Sequence, residues 1–295
     1  MSNRSGAPVV VGVDGSPSAL DAVRLAAREA ATRNRPLRVV HAFVWPLLGV
    51  PLGPAPDAPS EGGLRHQAER IVTEAVAEAG KVDPEVPVTG VVVDGAPTAV
   101  LLAEARDAAL VVLGSRGLGG FAGLLLGSSA VQVSSHAACP VLVVRGEPRA
   151  DGPVVVGVDG SDLSDLAVAF AVEEAARRGT ELVAVHAWQH PTPLGPGDML
   201  PLAYDLDALA DDEERVLVEA VAGWAERYPE VPIRRRLVRG APARALVEES
   251  ETAQLVVVGA RGRGGLAGLL LGSVSHAVLH HTRCPVAIVR HQDAP

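Results

Sequence analysis

The chain has 295 residues, 48% hydrophobic and 21% charged, enough to bury a sizeable core but longer than one domain usually runs, so two domains are expected. Its 26 Lys and Arg face 35 Asp and Glu, a formal charge of -9 that argues against holding nucleic acid or an anionic membrane by bulk charge. Lys81 is the single lysine and stands at a helix exit, which rejects both a Walker-type phosphate lysine and a Schiff-base lysine.

In chain order, Val9 to Val13 is a short continuous apolar run of the kind a fully buried strand requires. Pro17 to Asn34 then shows helical spacing at Leu20, Val23, Ala27 and Ala30. A strand follows near Leu37 to Val44, a helix near Leu64 to Gly80, a strand near Pro87 to Val93, and a helix with Pro97 in its first turn. Leu110 to Gly114 reads as a strand, followed by a glycine-rich loop, a helix from about Ser128 and a last strand at Val141 to Arg145. This alternation predicts an α/β fold: a five-stranded parallel sheet with helices on both faces and right-handed crossovers.

The series is written twice. Val9-Val-Val-Gly-Val-Asp-Gly-Ser16 recurs 145 residues later as Val154 to Ser161, and the same offset relates Gly95-Ala-Pro97 to Gly240-Ala-Pro242 and Cys139-Pro-Val141 to Cys284-Pro-Val286. The period is that of a duplicated domain, with domains expected at 1-147 and 152-295 and a linker-like composition between Gly146 and Pro153. Two cysteines are too few for a disulfide scaffold, and no apolar signal region precedes Asp14, so a cytoplasmic protein is expected. Gly117 to Val144 carries no Asp, Glu, Lys or Arg, but its most apolar run, Phe121 to Leu126, falls far short of the roughly 20 residues of a membrane span.

In such a sheet a ligand lies beyond the carboxyl ends of the strands, where strand order reverses. Three segments meet there in each copy: Asp14-Gly15-Ser16, the loop beginning Gly114-Ser115-Arg116-Gly117, and Gly127-Ser128-Ser129 at a helix start. Glycines let backbone N–H groups turn toward an anion, and a helix N-terminus adds unpaired donors, so the pattern describes a phosphate cradle built without lysine.

Gly114-x2-Gly117-x9-Gly127-Ser128 and Gly259-x2-Gly262-x9-Gly272-Ser273 resemble the ATP-binding signature of the universal stress protein family. The resemblance spans nearly the whole chain and implies two Rossmann-like domains of strand order 3-2-1-4-5, each binding ATP, with Mg²⁺ entering, if at all, through the phosphates. Carried over to this sequence, Gly12 and Asp14 lie beside the adenosine, with Ala42 beside adenine. Gly114, Ser115, Arg116, Gly117, Leu118, Gly119 and Gly120 wrap ribose and phosphates, and Gly127, Ser128 and Ser129 close on the phosphates. The second site uses Gly157, Asp159, Ala187, Gly259, Ala260, Arg261, Gly262, Arg263, Gly264, Gly265, Gly272, Ser273 and Val274. Ala260 for Ser115 and Val274 for Ser129 remove two hydroxyls from it. The family pairs domains through their last strands, which implies an internal pseudo-dimer of the two copies and a homodimer of chains.

Simpler readings stand beside these. Asp14 and Asp159 suit a helix N-cap. His276, His280 and His281 share a helix face but lack the Glu of an H-E-x-x-H zinc site, and Cys139 and Cys284 read as buried small hydrophobes. Arg234-Arg235-Arg236 protects an edge strand from pairing, and Asp211 to Glu214 opens a helix. The Pro- and Gly-rich connections Pro46 to Gly63 and Gln189 to Pro201 overhang the crevices, as lids or as partner-recognition segments. Three function classes remain: a nucleotide-binding stress regulator read by partner proteins, a slow ATPase, and a nucleotide-independent interaction module. No residue other than the two aspartates offers a catalytic base, so any hydrolysis is expected to be slow.

Overall fold

The apolar runs form strands and the spaced runs form helices in a computed structural model, which describes residues 6–45, 63–117, 126–146, 149, 151–189, 206–263 and 271–291. The described residues divide into two compact units, 6–145 together with 290–291, and 146–289. The first contains β1 (Val9–Gly12), α1 (Pro17–Thr32), β2 (Leu37–Phe43), α2 (Leu64–Val82), β3 (Val88–Asp94), α3 (Pro97–Glu104), β4 (Leu110–Gly114), α4 (Ser128–His136) and β5 (Val141–Val144). The second repeats the series with β6 (Val154–Val158), α5 (Asp162–Arg178), β7 (Leu182–Trp188), α6 (Leu206–Val221), a short α7 (Trp224–Arg227), β8 (Ile233–Arg239), α8 (Pro242–Glu249), β9 (Leu255–Gly259), α9 (Ser273–His281) and β10 (Val286–Val289).

Within the first unit the order is β3-β2-β1-β4-β5, and within the second β8-β7-β6-β9-β10, with every pair inside a unit parallel. Parallel pairing needs a crossover after each strand, and helices supply it, so central strands are covered on both faces and their valines are sealed from water. Val9, Val10 and Val11 are at most 1% exposed, as are Val154, Val155 and Val156. One buried charge in each unit has a partner: Glu29 of α1 pairs with Arg33, and Glu174 of α5 with Arg177 and Arg178. An uncompensated carboxylate at that depth would be strongly destabilising.

Strand β1 lies between β2 and β4, so the chain leaves β1 in one direction along the sheet and returns to β4 in the other. The loops after β1 and β4 therefore diverge at one point and leave a crevice between them. The same holds for β6 and β9.

Edge strand β8 carries Arg234, Arg235 and Arg236 exposed, with Arg236 paired to Glu249 at 2.6 Å, as a protected edge requires. Asp211 to Glu214, expected to open a helix, instead lies inside α6, which begins at Leu206. Both cysteines are free and buried. Burial pushes the Cys284 thiol up to about 12, so it stays protonated at neutral pH and lacks the nucleophilic thiolate. A thiol reagent at pH 8 is expected to leave Cys284 unmodified in the native protein and to label it on denaturation, followed by peptide mass spectrometry; rapid native labelling would contradict the packing. Among the described residues no helix is long and apolar enough to cross a membrane.

Candidate functional site

The turn after β1 sets the site. Gly15 and Gly160 adopt φ values of +86° and +70°, which a side-chain-bearing residue resists, and they reverse the chain directly into α1 and α5. The helix caps are Ser16 and Ser161, whose hydroxyls accept from the N–H groups of Ala19 and Ser164. Asp14 and Asp159 do not cap the helices themselves. Each Oδ1 accepts the N–H of the serine two residues on at 3.0 Å, an Asx turn that holds the carboxylate over the crevice mouth. In the second unit Asp159 Oδ2 also accepts the N–H of Arg263 at 3.0 Å, tying the loop after β6 to the loop after β9.

The signature glycines have three different neighbourhoods. A Cβ on Gly114 would meet Ser18 Oγ at 2.6 Å and the Ser18 carbonyl oxygen at 2.7 Å, so the first glycine lets α1 come close to β4. On Gly117 and Gly262 it would run into Oδ2 of Asp14 and Asp159, well inside van der Waals contact. These second glycines, expected where backbone meets ribose or phosphate, thus make room for a carboxylate, and neither has a positive φ. On Gly127 the nearest atom would be 3.7 Å away and on Gly272 3.4 Å, ordinary contacts. Both have extended backbone, φ -76° and -68°. Nothing among the described residues requires the third glycine to lack a side chain.

That third glycine is the N-cap residue of α4 or α9. Neither helix has a side-chain cap or an acidic residue in its first turn. The first intrahelical bonds run from Val131 N–H to Gly127 O and from His276 N–H to Gly272 O. Helical geometry therefore leaves the N–H groups of Ser128, Ser129 and Ala130, and of Ser273, Val274 and Ser275, without intrahelical acceptors at the positive end of the helix dipole. Gly127 N–H donates to Ser115 O and Gly272 N–H to Ala260 O, both at 2.8 Å, which closes the base of each loop. Because the backbone of residues 115 and 260 makes this bond and neither residue lines the cavity, Ala260 for Ser115 leaves it intact. Val274 does line the second cavity and offers its N–H there, but no hydroxyl.

These segments enclose a cavity of about 570 Å³ in the first unit and one of about 440 Å³ in the second, within the range of small-molecule sites. Of the residues singled out in the sequence, Gly12, Asp14, Ala42, Gly114, Arg116 and Gly117 line the first, together with Gly127, Ser128 and Ser129. Gly157, Asp159, Ala187, Gly259, Arg261 and Gly262 line the second, with Arg263, Gly272, Ser273 and Val274. Leu118, Gly119, Gly120, Gly264 and Gly265 lie outside the described residues, as do 46–62 and 190–205, which hold nearly all of the two overhanging connections.

Sequence reasoning missed the apolar walls. Leu101 and Leu113 line the first cavity, and Leu246 and Val258 the second, and none of the four was singled out in the sequence. A Cβ on Gly12 would meet Leu101 and Leu113 side chains at 2.9 and 3.0 Å, so this glycine keeps the floor open between them. Also missed was Glu213. His186 Nδ1–H donates to Val158 O at 2.7 Å, and its Nε2 lies 2.7 Å from Glu213 Oε2, so both ring edges are engaged and His186 does not line the second cavity. His41 makes the matching Nδ1 bond to Val13 O at 2.8 Å, but lines the first cavity; the residue 145 positions before Glu213 is Ala68.

One cation among the described residues, Arg116, lines the first cavity. Val144 pairs with Gly114, so Arg145 leaves the sheet beside the loop that carries Arg116. Burial, and then the charge of Arg116, hold the Arg145 guanidinium below its usual basicity. An anion beside Arg116 relieves that repulsion. Among the described residues no group of three or more His, Cys, Asp and Glu is placed to hold a metal ion. His276 and His280 stack with ring centroids 4.4 Å apart.

Each unit is thus a doubly wound α/β domain with an apolar-floored, donor-rimmed crevice at its strand switch point. The model of the universal stress protein family matches residues 7–145 and 152–290. A universal stress protein of Mycobacterium tuberculosis (strain ATCC 25618 / H37Rv) is 43% identical over 293 residues, covering 96% of each chain. Another from the same strain is 43% identical over 301 residues, covering 98% of each. The crystal structure of a universal stress protein from Archaeoglobus fulgidus DSM 4304 matches 98% of this chain and 99% of its own, with a TM-score of 0.70 at 18% identity. The chain belongs to the universal stress protein family, with two family domains in tandem.

Proposed function

We propose that each unit binds ATP in its crevice and that the protein is a stress-response regulator whose nucleotide state is read by partner proteins. The observation that carries this reading is the third glycine of each signature, for which nothing among the described residues gives a steric need, set at an uncapped helix N-terminus inside a cavity. The space a Cβ would fill is then left for ligand, and the first-turn N–H groups suit a phosphate. Adenine suits the apolar floor between Leu101 and Leu113, close to the Ala42 backbone at the end of β2. Mg²⁺, where present, is carried by the phosphates, since among the described residues no group of three or more His, Cys, Asp and Glu is placed to hold it.

Binding is favoured over turnover because among the described residues a single carboxylate, Asp14 or Asp159, lines each crevice, and hydrolysis needs a positioned water and charge compensation beyond a ground-state cradle. Calorimetry on nucleotide-stripped protein with ATP and magnesium is expected to approach two equivalents per chain, with turnover below about 1 per second. Zero stoichiometry would overturn the reading, and fast turnover abolished by a crevice mutation would move it to the enzyme class.

A further inference from the structure

The two crevices share their glycines but not their cations. Arg261 and Arg263 stand on either side of Gly262, and both line the second cavity. In the first, Arg116 lines the wall, and the position matching Arg263 is Leu118. The imidazoles are distributed the other way. His41 lines the first cavity, whereas Val158 and Glu213 hold His186 out of the lining of the second.

Resting on the nucleotide reading, we propose that Arg263 makes the second crevice selective for the longer phosphate chain, so that the two sites of one chain differ in the adenine nucleotide each prefers. The bond from its backbone N–H to Asp159 Oδ2 fixes the start of this side chain at the crevice wall. From there the guanidinium reaches across the mouth, where Nη2 donates to Gly160 O at 3.4 Å. That bond is long, exposed and made to a neutral oxygen. A phosphate accepts from the planar guanidinium fork through shorter, stronger, charge-assisted bonds, so nucleotide exchanges a weak partner for a strong one.

The selectivity follows from position. α9 and α4 each present an uncapped first turn, whose N–H donors suit one phosphate. A guanidinium on the loop opposite that helix adds affinity only where further phosphates extend toward the loop. Arg263 therefore discriminates by phosphate number and not by base. The first crevice, with one fewer guanidinium and an added imidazole edge, discriminates less between mono- and triphosphate.

The test is calorimetry of the full chain with ATP and with AMP, comparing wild type, Arg263→Ala and Arg263→Lys. In Arg263→Ala one of the two ATP equivalents is expected to weaken about tenfold while the AMP isotherm stays unchanged, and Arg263→Lys, with charge but no fork, should fall between. Equal weakening for AMP and ATP, or unchanged ATP binding, would overturn the proposal. So would a large drop in unfolding temperature without nucleotide, which would assign the side chain to the fold. A wild-type chain that takes up neither nucleotide is a separate outcome, and it removes the underlying reading as well.

Discussion

Replacing Gly127 and Gly272 together by alanine is expected to remove most ATP binding, weakening each site by roughly ten- to a hundredfold, while unfolding without nucleotide shifts by no more than about 4 °C. The stability half of this expectation is a near cancellation. Both positions have extended backbone that alanine adopts freely, and an added Cβ finds no atom of the described residues closer than 3.4 Å. Loss of unfolded-chain freedom then stabilises the alanine variant by about 0.4–1 kcal/mol per site. Alanine is a poorer N-cap than glycine by a similar amount, so the net change stays within about 1 kcal/mol, a few degrees for domains of this size. The binding half is one-sided. In the proposed site a methyl group at the N-cap would occupy the place where phosphate meets the first-turn N–H groups, and hydrogen bonds to a charged partner contribute about 1.5–3 kcal/mol each, where 1.4 kcal/mol is tenfold in affinity. Thermal unfolding without ligand and ATP titration on the same sample separate the two halves. Retained affinity would show that the ligand does not touch these helix ends.

The strands, helices and duplication were legible in the sequence because each rests on a repeated local signal. Val9 to Val13 and Val154 to Val158 read as buried strands from continuous apolarity, and Pro97 and Pro242 mark helix starts through fixed φ and a missing donor. The three meeting segments were legible because alternation puts the carboxyl ends of all strands on one side of the sheet, while the order that sets β1 beside β4 came from the family resemblance. What the sequence left hidden is pairwise and nonlocal. That Asp14 bonds a loop N–H without capping α1 depends on Ser16 taking the cap first, and both residue types suit that position. That Glu213 reaches His186 depends on how α6 lies against β7; within the helix it reads as one of four acidic residues in a row. The separate roles of the glycines were hidden for the deepest reason. A glycine reports that something comes close, and the sequence does not say whether that neighbour is a helix, a carboxylate or a ligand.

That distinction is sharpest at Gly262. Alanine there drives its Cβ into Asp159 Oδ2, so the carboxylate must turn away and release the Arg263 N–H. The loop after β9 then loses its tie to the loop after β6, and ATP affinity at the second site is expected to fall by roughly tenfold or more, about the loss of one charge-assisted hydrogen bond. Asp159→Ala breaks the same tie from the other end and also strips the acceptor from Ser161, whose N–H and hydroxyl both donate to Oδ1. Its cost should be at least as large, with some loss of stability at the start of α5. The informative variant is the double. Once the carboxylate is gone, the Cβ of residue 262 meets no other obstacle within 4 Å among the described residues, so adding Gly262→Ala to Asp159→Ala should change affinity hardly at all. The cycle is therefore strongly non-additive, as expected of residues in direct contact. If the second glycine instead faced ribose or phosphate, the added methyl group would harm binding whether or not Asp159 were present, and the two costs would sum. Additive losses in the Asp159/Gly262 cycle, repeated at Asp14 and Gly117, would return this glycine to the ligand; a double variant no weaker than Asp159→Ala assigns it to the aspartate.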